Sequence, residues 1–172
     1  GPERRVWLRE RFHLDLIWER VADSAAKRGG PQVGQYLAYG PDEEVARALI
    51  PKFEPKTAEH VPRAVARFGL ELLSVARRLV QTKPGPWLPY IVPFGDAAFA
   101  LPLAKLLATK GRRRDQRWLL RLPHHAAAGL VEALFGSAKK DHEAALRAVR
   151  YLCQLGHRPV VEAAAHAAGS GE

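Results

Sequence analysis

The stretch Arg117–Phe135, RWLLRLPHHAAAGLVEALF, holds two short apolar segments separated by Pro123. Ala127, Leu130, Val131 and Leu134 recur at i, i+3, i+4 and i+7, the spacing that lines one face of a helix with core-facing groups. Val161, Ala164, Ala165 and Ala168 repeat that spacing 34 positions later, and Trp118 and Leu119 map by the same offset onto Leu152 and Cys153. A third stripe, Ala100, Leu103, Ala104 and Leu107, precedes the Ala127 set by 27 positions. A period of about 20–50 residues with two helices per unit is how helical solenoids read in sequence. The expected fold class is all-α, a helical-repeat solenoid of antiparallel helix pairs.

Working outward, Asp96 is placed to cap the helix bearing Ala100, which Gly111 closes. Trp87 to Val92 reads as the short helix before it, with a turn at Pro93-Phe94-Gly95. The next pair is expected at about 115–122 and 125–135, joined at Pro123. The last is expected at about 141–155 and 159–168, joined at Gly156-His157-Arg158. Glu143 and Arg147 are spaced as an i, i+4 pair away from Ala145, Val149 and Leu152.

Upstream, Leu14, Ile17, Trp18, Val21 and Ala25 make one helical stripe that Gly29-Gly30-Pro31 ends. A short segment with Tyr36, Leu37 and Tyr39 runs to a second stop at Gly40-Pro41. Asp42, Glu43 and Glu44 then open a helix carrying Val45, Ala46, Leu49 and Ile50, which stops before Pro51. Thr57 is positioned to cap one long helix with Val61, Val65, Phe68, Leu72, Val75 and Leu79, a seam advancing by four and three. Pro62 falls early in it, where a missing amide proton costs least. Lys83-Pro84-Gly85-Pro86 is the clearest break, so the expected division is an N-terminal helical region over 1–84 and the repeats over 85–172.

At 172 residues and 47% hydrophobic content, the chain can bury a core, which disfavours disorder. No apolar run approaches the ~18–20 residues that span a bilayer, and Gly1 to Arg5 lacks a secretory layout. The single cysteine, Cys153, excludes an internal disulfide, fits a reducing cytoplasm and is expected in the core. The chain has no methionine, and its glycine-rich ending reads as a linker, so it is expected to act inside a longer polypeptide. The net charge of +9 favours acidic partners or nucleic acid and carries no information about fold.

Trp118-Leu119-Leu120-Arg121 through Glu132-Ala133-Leu134, then Asp141-His142-Glu143-Ala144-Ala145-Leu146-Arg147 and Leu155-Gly156-His157-Arg158-Pro159-Val160-Val161, resemble the helical-repeat portion of large bacterial MolR-like proteins. These pair a domain of unknown function with an N-terminal WGR domain, and the resemblance runs from about Trp87 to Ala168. It implies HEAT-like repeats and an association with regulation, or with nucleic acid through the neighbouring domain. It supplies no catalytic residues to carry over.

The main polar feature is basic: Lys105, Lys110, Arg112, Arg113, Arg114, Arg117 and Arg121, opposed in sequence only by Asp115. Such a ridge suits phosphates or an acidic partner, with Lys110, Arg112, Arg113, Arg114 and Arg117 as the contact set. It lacks interleaved aromatics for stacking bases and any recognised DNA-reading motif, and charge runs are usually solvated faces. His142-Glu143-Ala144-Ala145-Leu146 starts like a zinc-protease helix but has leucine where the second histidine is required. His124 and His125 are adjacent, point about 100° apart on a helix, and are read as a turn. Glu162 and His166, though correctly spaced, are only two ligands. No serine sits in a Gly-x-Ser-x-Gly elbow and no phosphate-binding glycine loop is present. Trp87, Tyr90 and Phe94 read as core before groove.

The sequence therefore predicts a cytoplasmic, non-catalytic scaffold without cofactor or metal, mediating protein–protein interaction within a larger bacterial regulatory protein. The alternative is a nucleic-acid-binding helical-repeat module using the basic ridge around Arg112–Arg114.

Overall fold

A computed structural model describes residues 14–54, 59–82, 89–110, 113–135 and 139–169. Among these the secondary structure is helical, with no strand, so the chain is all-α. It divides into two compact units, residues 1–75 and 76–172. The Lys83–Pro86 break and Thr57 lie outside the described residues.

In the first unit, α1 (Leu14–Arg28) ends at Gly29 and α2 (Pro31–Tyr39) begins with proline in its first turn. Proline is tolerated there because that amide has no intrahelical acceptor to lose. The segment around Tyr36, expected as a short connection, is thus a helix, burying Val33, Gly34, Tyr36 and Leu37. Its nine residues and internal glycine conceal the helical period. The α1 stripe is less buried than its spacing implies: Trp18 meets Tyr36 edge-on at 5.6 Å and Ala25 is buried, but Ile17 is half exposed.

Helix α3 (Glu43–Leu49) is capped by Asp42, whose carboxylate accepts from the amides of Glu44 (2.9 Å) and Val45 (3.1 Å). Asp42 therefore precedes the helix, satisfying two otherwise orphaned donors. Val45, placed on the apolar stripe by sequence, is exposed.

The single long helix expected after Val61 is three pieces: α4 (Val61–Phe68), a 3-10 turn (Gly69–Leu72) and α5 (Leu73–Thr82). Gly69 has φ 48°, a left-handed value that side-chain-bearing residues rarely adopt, and it stops α4. Of the expected seam Val61, Phe68, Leu72 and Val75 are buried, while Val65 and Leu79 are half-buried; Ala64, Ala76 and Val80 are buried beside them, and Leu70 is exposed. A continuous seam is replaced by two short faces. Arg67 donates to the Gly40 carbonyl at 2.7 Å, tying α4 to the end of α2.

The second unit begins within α5. Asp96 caps a 3-10 turn (Ala97–Phe99) that runs into α6 (Ala100–Lys110), as its position in sequence predicts. There follow α7 (Arg113–Arg121), α8 (Pro123–Phe135), α9 (Lys139–Leu152) and α10 (Arg158–Gly169). Residues Cys153–His157 between the last two form a wide turn, with Gly156 at φ 89°.

Helix α8 is the centre of this unit, packing against the 97–99 turn, α6, α7, α9 and α10. Ala126, Ala127, Gly129, Leu130 and Val131 are all buried on it, which explains why the sequence there is nearly free of charge. His124 and His125, expected as a turn, occupy its first turn instead, since Pro123 starts the helix. Helix α6 buries Ala100, Leu103 and Ala104 and also packs on α9.

In α10 only Val161 of the expected stripe is buried; Ala164 is half-buried, and Ala165 and Ala168 are exposed. Among the described elements α10 packs on α8, the preceding turn and α9, leaving that face open. Cys153, expected in the core, is only partly covered because it starts the wide turn, whereas Leu152 before it is fully buried.

Gly129 permits the central packing. A Cβ at this position would lie 2.0 Å from the Ala97 carbonyl oxygen and 3.0 Å from the Ala100 Cβ. In a free helix, Gly→Ala stabilises by up to about 1 kcal/mol. Here the methyl must displace backbone, and overpacking costs about 1–3 kcal/mol. Gly129→Ala should therefore lower unfolding stability in urea by about that amount, and a gain in stability would refute the close-packing assignment.

Candidate interaction surface

The turn from Phe94 to Phe99 is where the exposed basic helix is anchored. Phe94 and Phe99 are buried on its two sides, and Asp96 is held between them with only 7% of its surface exposed. One oxygen of Asp96 accepts the Ala98 amide at 2.9 Å. The other receives Arg77, with Nε at 2.7 Å and Nη2 at 2.6 Å. Both oxygens of a nearly buried carboxylate are thereby engaged, which makes its burial tolerable.

Helix α7 attaches to this turn through Trp118. Its indole N–H donates to the Phe94 carbonyl at 3.2 Å, and its ring meets Phe99 edge-on at a centroid distance of 6.0 Å. Trp118 and Leu119 are fully buried. The flanking Arg117 and Arg121, one turn apart, are exposed. The apolar pair fixes the helix and leaves the arginines presented to solvent.

Of the contact set expected from sequence, the structure places Arg117 on this exposed face. Arg112 lies outside the described residues. Lys110, Arg113 and Arg114 belong to α6 and α7, but their side chains are likewise outside the description. Lys105 does not join a free ridge, because its ammonium is 2.6 Å from the Asp141 carboxylate and links α6 to α9. That pairing was hidden in sequence by a separation of 36 residues. The Arg77–Asp96 pair was missed for the same reason, although the capping role of Asp96 was legible.

Other ionic groups are engaged locally. Arg47 reaches Glu71 and Glu43, each at 3.1 Å, and Arg158 reaches Glu162 at 2.8 Å. Hydrogen bonding to Glu71, reinforced by its charge, pushes the Arg47 guanidinium pKa up, and Glu162 does the same for Arg158. Two histidines meet backbone: His142 Nδ1 lies 3.0 Å from the Leu134 carbonyl oxygen, and the His125 ring packs over Gly95. Among the described residues no three His, Cys, Asp or Glu side chains come together as a metal site. Phe94 is core, as its sequence position suggested.

No known family matches the chain, and no solved structure matches it. The chain is similar to the uncharacterized protein YehI of Escherichia coli (strain K12), with 31% identity over 100 residues. That match covers 57% of this chain and 8% of the relative's length. Among the described residues no helix is long and apolar enough to cross a membrane.

The two functions of Asp96 are separable. Asp96→Ala removes the cap and leaves Arg77 without its acceptor, an expected loss of about 2–4 kcal/mol. Asp96→Asn keeps a good capping group, so about 1 kcal/mol is expected. Thermal melts of both variants provide the check, and equal losses would show that capping contributes nothing.

Proposed function

We propose that this chain is a non-catalytic helical-repeat scaffold, a HEAT-like solenoid segment of the MolR-like kind that mediates protein–protein interaction within a larger bacterial regulatory protein of the cytoplasm. The observation that carries this reading is the series α6, α8 and α10, in which each second helix packs on the next. The stripe spacing buries Ala100, Leu103 and Ala104 on α6 and Ala127, Leu130 and Val131 on α8, while on α10 it buries Val161 alone. The pairs are not strictly regular, since α6 also packs on α9. The polar groups best suited to chemistry support the non-catalytic reading: Asp96, Lys105 and His142 are all engaged in holding helices together. The match to a small share of a much longer relative supports a role as one part of a large protein.

The second reading is a nucleic-acid-binding module. It is favoured by the exposed arginines of α7 and by the net charge of +9. An anisotropy titration with duplex DNA at two salt concentrations separates the two. The scaffold reading expects only weak, salt-sensitive association, of the non-specific order of about 10⁻⁴ to 10⁻⁶ M. Tight, saturable binding at physiological salt, abolished by Arg112→Ala/Arg113→Ala/Arg114→Ala, would overturn it.

A further inference from the structure

Helix α7 concentrates positive charge on a rigid support. Four of the nine residues in RRDQRWLLR are arginines, at positions 113, 114, 117 and 121. Like charges three or four residues apart destabilise a helix by about 0.2–0.5 kcal/mol per pair. The burial of Trp118 and Leu119 offsets that cost and prevents the helix from rotating to disperse its charge. Elsewhere, Arg47, Arg77, Lys105 and Arg158 have carboxylate partners in the chain. Among the described residues, no carboxylate engages Arg117 or Arg121.

We propose that Arg117 and Arg121 form a docking site for a carboxylate-rich helical segment of a protein partner; this rests on the scaffold reading above. Residues one helical turn apart have Cβ atoms roughly 5–6 Å apart, so two acidic residues at i and i+4 on a partner helix match the two guanidinium groups. Each fork can take a carboxylate through two parallel hydrogen bonds. Single-stranded nucleic acid is disfavoured because the only aromatic residue of α7, Trp118, is fully buried and offers no surface for stacking bases. Lys105 is also withdrawn from any phosphate track by Asp141.

The test uses the whole chain and a fluorescein-labelled, alanine-based helical peptide of ~16 residues carrying Glu pairs at i, i+4. A matched peptide with Gln at those positions and a duplex of about 20 base pairs serve as comparisons. The Glu peptide should bind at least about tenfold more tightly than the Gln peptide, and Arg117→Glu/Arg121→Glu should remove that advantage. A peptide with Lys in place of Glu should then recover binding to the charge-reversed chain, a rescue that a misfolded variant could not give. Equal affinity for Glu and Gln peptides, or an unaltered preference in the variant, would overturn the docking site while leaving the scaffold reading intact. Tight, saturable duplex binding at physiological salt through the same two arginines, stronger than that of the Glu peptide, would overturn both.

Discussion

In residues 76–172 the decisive constraint is a contact between backbones. Gly129 at the middle of α8 lies against the carbonyl of Ala97, at a distance no side chain could occupy. This close approach sets the 97–99 turn onto α8, and the other elements are then located by what the turn and α8 offer them. Trp118 binds the Phe94 carbonyl, Arg77 binds Asp96, and α6 extends directly from the turn. A small residue at one helical position thus has consequences for several elements.

The exposure of Arg117 and Arg121 depends on that arrangement. Arginines on a solvent-facing helix are ordinarily mobile and contribute little to stability or recognition. Those of α7 are carried by a helix whose opposite side is locked by a buried tryptophan and leucine. The proposed docking of a partner of complementary spacing draws on this, because presenting charge from a fixed backbone lowers the ordering cost of binding. The same logic explains why Lys105 is not part of it: once α6 packs on α9, Asp141 is its neighbour.

Local and periodic features were legible in the sequence. The stripes of α6 and α8 predict their buried residues because each helix is long enough to display its period, and Asp42 and Asp96 mark helix starts by residue type. Features set by tertiary contact were not legible. Tyr36 lies in a nine-residue helix too short to show periodicity, and Gly69 interrupts a seam whose apolar spacing continues unbroken across it. The face of α10 beyond Val161 has the right spacing but is left open among the described elements, which spacing alone could not reveal. At the basic ridge, sequence identified the charge, and only the structure could assign Lys105 to Asp141 and show Arg117 exposed.

Native-state hydrogen exchange tests the dependence on the Ala97–Gly129 contact most directly. The Ala98 amide is held by the Asp96 carboxylate and the Phe99 amide by the Asp96 carbonyl, whereas Gly129, Leu130 and Val131 lie in the centre of α8. If turn and helix form one cooperative unit, these five amides exchange with the same opening free energy and respond together to denaturant. Rapid local exchange at Ala98 and Phe99, with residues 129–131 still protected to the global limit, would contradict it.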